Sequence, residues 1–170
     1  MRKRSKYRPK GIILNPIGYV MESMTPVSKH DSYAVDLKIK NHMAMTHLTQ
    51  GVATKEDIDK LIAVVNVVEA LYRLGFGREY KDEVRAGLDA LHTVAKRGAT
   101  TGKFILRAQE MTALNSVMEL HDAQLDVITI RDMEQALRLV EQEYRAKKMR
   151  PILEKKDERA TSPEGTSQGV

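Results

Sequence analysis

The groups with which this chain could do acid–base or metal chemistry are five histidines and 23 aspartates and glutamates; it has no cysteine. A thiol nucleophile, a cysteine-ligated zinc site, an iron–sulfur cluster and a disulfide framework are thereby excluded. Asp89-x-x-His92 has the offset of one half of a di-iron carboxylate site, with Asp in place of Glu. Such a site needs a second copy and two further inward glutamates, and no second copy occurs. His121 shares a helical stripe with Leu114, Met118 and Leu125, so it points at a core, with Asp122 about 100° further round the helix. It reads as a core histidine rather than a ligand or base. His42 sits similarly on an earlier helix, His47 lies on a different face of that helix, and His30-Asp31 falls in a turn. No nucleophile elbow occurs, and no serine is placed against these histidines. Gly75-Phe76-Gly77 lacks the third glycine and the preceding strand of a phosphate-binding loop and reads as a helix–helix turn. A hydrolase or metal enzyme would require folding to gather several of Glu110, Glu119, His121, Asp122 and His92 in one cleft. The expectation is a non-enzyme with no catalytic residue, no metal and no cofactor.

The remaining chemistry is charge. The net charge is +5, but residues 1–10 (MRKRSKYRPK) carry +6 with no acid, residues 145–159 carry +4, and residues 11–144 sum to −4. Basic ends of this density neutralise phosphates with release of counterions, although they also serve simply to solvate a chain end. The predicted nucleic-acid contacts are Arg2, Lys3, Arg4, Lys6, Arg8 and Lys10, joined by Lys147, Lys148 and Arg150, with little sequence specificity. Aromatic residues are 5% of the chain and Trp is absent, which weakens any base-stacking surface. A helix-turn-helix is disfavoured, because the last helix exposes Arg131, Glu134, Gln135, Arg138, Glu141 and Gln142, a face of mixed sign.

The elements that would position these groups read as helices. No apolar run approaches the roughly 18 residues of a membrane span, and no hydrophobic signal core opens the chain. Ser32 is an N-cap candidate for a first helix over 33–49, with a stripe of Val35, Ile39, His42 and Thr46; the Val35, Leu37, Ile39 alternation leaves a short strand as the alternative. Thr54 with Asp57 has capping-box spacing and opens a second helix over 55–74, apolar around most of its circumference and therefore central. Its exposed strip is expected at Asp59, Ala63, Asn66, Ala70 and Arg73. A third helix, 79–97, ends at Gly98; residues 98–102 form a flexible connection; a fourth covers 103–124 with Phe104 on its core face. Thr129 with Asp132 opens a fifth, with Ile130, Met133, Leu137, Val140 and Tyr144 inward and an end near Pro151. Nine methionines supply an adaptable core or, alternatively, an exposed groove for a partner helix.

Three stretches, MRKRSKYRPK at the start, VDLKIKNHMAM at 35–45 and QGVATKEDIDKLIAVVNVVEAL at 50–71, resemble small uncharacterised proteins encoded by tailed phages and prophages of proteobacteria. The resemblance implies a bacterial cytoplasmic setting and an accessory role, either in regulating genes or in blocking a host protein or defence system. It carries over no site residue.

The reading is therefore an all-α protein: a single helical bundle of about five helices with disordered basic termini. Residues 1–12 form a flexible basic arm, 13–32 an irregular strap with one helical turn near Tyr19, 33–149 the helical domain and 150–170 a tail. Its partners are expected to be DNA or RNA held through the arm, or alternatively a host or phage protein or a second copy held through an apolar patch on the helical body. No membrane partner is expected.

Overall fold

Thr54 and Thr129 each accept a hydrogen bond from the backbone N–H three residues on, while Asp57 and Asp132 return one from the threonine N–H at 3.0 and 2.9 Å. These reciprocal caps start two of the helices where the sequence places them. A computed structural model describes residues 16–29, 31–146 and 148. Its helices are α1 (Pro16–Ser23), α2 (Asp31–Thr49), α3 (Lys55–Leu74), α4 (Lys81–Thr101), α5 (Ala108–Val127) and α6 (Ile130–Arg145), with 3-10 turns at Val27–Lys29 and Arg78–Tyr80. The protein is all-α, and no strand occurs among the described residues. Among the described residues the helix count is six rather than five, because the turn expected near Tyr19 is a two-turn helix.

Helix α3 is the centre of the bundle and touches α2, α4, α5 and α6. Its C-terminus closes on Gly75 in the left-handed region, with the Phe76 N–H reaching back to the Leu71 carbonyl, the geometry that lets a glycine end a helix cleanly. One apolar cluster joins α2, α3, α4 and α5 through Leu48, Leu61, Val65, Val94 and Leu114; a second joins α3, α5 and α6 through Leu71, Leu125, Ile128 and Ala136. Val27 enters the second cluster because the segment after α1 pairs with the α5–α6 junction: Val27 N–H donates to the Ile128 carbonyl and Ile130 N–H to the Thr25 carbonyl.

Several expected boundaries and faces move, each for a packing reason. Helix α4 continues through Gly98, where a Cβ would lie 2.0 Å from the Phe104 ring; this glycine admits a ring and does not stop the helix. Gly102, at φ +73°, is the terminator. Phe104 accordingly belongs to the connection and not to a helix, and α5 begins at Ala108 after the Glu110 carboxylate accepts from the Arg107 N–H. Helix α6 ends at Arg145, short of Pro151. Ala70 is buried beneath α6 rather than exposed, and Leu137 and Tyr144 face outward because Ala136 takes the inner position. Helix α2 starts at Asp31, before the expected Ser32 cap, and the Val35–Ile39 stretch is helical. Its inner face is Ala34, Asn41, Ala44, Met45 and Leu48, and the stripe of Val35, Ile39, His42 and Thr46 faces out. Two alanines on that face allow close helix approach, which turns the larger side chains away.

Candidate functional site

Two polar sites lie on opposite sides of α5. Toward α2, Lys38 Nζ donates to Asp126 Oδ1 at 2.8 Å, and one turn further His42 Nε2 lies 2.8 Å from Asp122 Oδ2. His42, expected to point inward, is thus the outer rung of a two-rung polar ladder. Inside the ladder, Asn41 is buried and His121 is 1% exposed. Asn41 Nδ2, both ring nitrogens of His121 and Asp122 Oδ1 make no hydrogen bond. Desolvation pushes His121 down to about 4, reinforced by Lys38 and His42 and opposed by Asp122. The ring is therefore neutral at pH 7 and sealed from any substrate, so it acts as packing, as its place on the Leu114, Met118, Leu125 stripe predicts.

Toward α4, His92, Thr93, Lys96, Arg97 and Arg107 line an open cleft of about 430 Å³. Arg97 grips Glu110 with two bonds, Nη1 to Oε1 at 2.9 Å and Nη2 to Oε2 at 2.7 Å. This bidentate pair raises the Arg97 guanidinium and holds the Glu110 carboxyl below its ordinary range, so both are charged and cancel. Lys96, Lys103 and Arg107 remain as exposed cations at this end of the bundle, and the surface there is suited to a phosphate or another oxyanion. Elsewhere on the body, Arg73 bonds Glu69 and Glu143, Arg138 bonds Glu134, and Arg145 bonds Glu141.

The residues that a hydrolase would have to gather do not meet. Glu110 and His121 lie eleven positions apart on α5, about 16 Å along its axis. Glu110 faces Arg97 and His92 lines the α4–α5 cleft, whereas Asp122 faces α2 and Glu119 is exposed. His47 is committed to Asp57 at 3.2 Å; that carboxyl is lowered first by the Thr54 backbone N–H, with His47 adding to it. No group of three or more metal-ligating side chains is gathered among the described residues.

Of the predicted phosphate contacts, Lys148 is exposed just beyond α6, with its N–H on the Glu143 carbonyl. Arg2, Lys3, Arg4, Lys6, Arg8, Lys10, Lys147 and Arg150 lie outside the described residues. The α4–α5 cations were missed because Lys96 and Arg97 look like ordinary helix-end charges. The usable signal is that residues 96–107 hold four bases and no acid. No described helix is long and apolar enough to cross a membrane. Compared with family models, curated proteins and solved structures, the chain matches none.

Proposed function

We propose that this chain is a non-enzymatic nucleic-acid-binding protein of phage accessory type that holds phosphates with its basic ends and with the α4–α5 cleft. The observation that carries this reading is the segregation of charge. Residues 11–144 sum to −4, yet residues 96–107 hold four bases and no acid, with Lys96, Lys103 and Arg107 exposed at one end of the bundle. Arms and cleft together supply a discontinuous phosphate track, which recognises backbone rather than base edges. The test is a mobility shift with unrelated duplex DNA, single-stranded DNA and RNA over a salt series. Each phosphate contact removed should flatten the dependence of log affinity on log salt by about 0.9 on duplex. Deleting residues 1–10 should therefore remove about half of the slope, and Lys96→Glu with Arg107→Glu should remove roughly two contacts' worth. If the truncated and charge-reversed proteins bind as tightly as the intact chain, the reading is wrong.

A second reading has its own observation. On α1, Ile17, Val20 and Met21 are exposed, as is Met24 just after it, at the spacing of a helix-docking stripe. This favours capture of a host or phage protein. It takes precedence if no nucleic acid binds at low salt and Met21→Glu abolishes a complex formed by the intact chain.

A further inference from the structure

We infer that α2 pairs antiparallel with α2 of a second copy of this chain. Val35, Ile39 and Met43 are 51, 52 and 52% exposed. Their spacing of four sets them in one line over two turns of the outer face of α2. The line is bordered by two flanks of different kind. On the α5 side, Lys38 and His42 are bonded to Asp126 and Asp122, so that flank already has its partners within the fold. On the other side, Asp36 and Lys40 are exposed, and neither joins an ion pair among the described residues.

The order of those two charges selects the partner and its direction. In an antiparallel pair with its two-fold near Ile39, Val35 meets the partner's Met43 and Ile39 meets the partner's Ile39. The same operation sets like flanks together, so Asp36 comes within two residues of rise, about 3 Å, of the partner's Lys40, and this contact occurs twice. A parallel two-fold exchanges the flanks instead, so Asp36 and Lys40 meet the partner's Lys38–His42 flank, whose bases already hold Asp126 and Asp122, and the Asp36–Lys40 contacts are lost. A surface that is complementary to itself under a two-fold is the requirement for an isologous dimer. The three apolar side chains cover much less than the roughly 800 Å² per partner of a standard interface, so the pairing is weak and concentration-dependent. Its consequence for a phosphate-binding chain is two sets of basic ends on one particle, but the pairing rests on α2 alone and not on that reading.

Sedimentation equilibrium of the full, nucleic-acid-free chain tests it. The weight-average mass should climb from one chain toward two as concentration rises to hundreds of micromolar, and Ile39→Glu should hold it at one. Asp36→Lys and Lys40→Asp should each weaken the dimer several-fold, and the two together should restore it. Val35→Glu serves in place of Ile39→Glu if thermal melting shows that the latter is unfolded. Three results would each overturn the proposal: a wild type that stays monomeric throughout, an Ile39→Glu chain that dimerises normally, or a double charge exchange no better than either single.

Discussion

Along α5, the side turned to α2 and the side turned to α4 each gather a histidine, acids and bases, yet the two sites have opposite character. Toward α2, Lys38 and His42 are matched one to one with Asp126 and Asp122, and the buried ring beside them is neutral. Toward α4 only Arg97 is matched, by Glu110, and the other cations remain at an open cleft. The same residue types therefore make a structural seam where a carboxylate faces each base and a candidate binding surface where the carboxylates run out. Burial acts on the His121 ring alone, where desolvation disfavours a charge that water would otherwise support.

The largest expected effect breaks that contrast from the seam side. His121 titrates near 6.5 when unfolded and near 4 when folded, so above pH 6.5 it contributes no pH dependence. As pH falls from 6.5 to 4 the unfolded chain takes up a proton that the native chain refuses, and stability should drop by about 3 kcal/mol from this residue. Urea midpoints across that range should fall for the wild type and much less for His121→Leu; parallel curves would show that the ring is not sealed as described. Next in size is Gly87→Ala, which attacks the α4–α5 contact. The added Cβ would lie 2.2 Å from Val117 Cγ2, a stiff and fully buried side chain, and overpacking of this kind costs roughly 1–3 kcal/mol. The gain in helix propensity, about 1 kcal/mol, offsets only part of it, so a lower melting temperature is expected, and an unchanged one would refute the close approach.

Asp122→Asn should be milder. Its partner His42 is half-exposed, and such pairs contribute at most about 1 kcal/mol; a chemical denaturation curve shifted by several times that would give the ladder a larger role. The smallest stability change should come from the cleft. Lys96→Ala with Arg107→Ala should leave stability within about 0.5 kcal/mol while measurably weakening polyanion binding in a salt titration. Equal binding would erase the functional side of the comparison.

Much of this architecture is legible in residues that act locally. The Thr54–Asp57 and Thr129–Asp132 boxes and the Gly75 stop involve hydrogen bonds spanning three to five residues, so the sequence alone places those helix ends. His121 was also readable, because its stripe of Leu114, Met118 and Leu125 is inward. Gly98 was misread for a complementary reason. A glycine that ends a helix and one that admits a neighbouring ring look alike in sequence, and only the position of Phe104 distinguishes them.

What the sequence by itself determined is therefore the all-α class, the capped helix starts and the excess of positive charge at the two ends of the chain. Periodicity and capping are properties of a few consecutive residues and hold wherever the helix is placed. The tertiary structure decided which face of α2 is inside, where an apolar stripe lost to Ala34, Ala44 and Leu48, and which cations on α4 and α5 found a carboxylate. Those outcomes depend on the shape and charge of a neighbouring helix distant in sequence, and no local pattern encodes them.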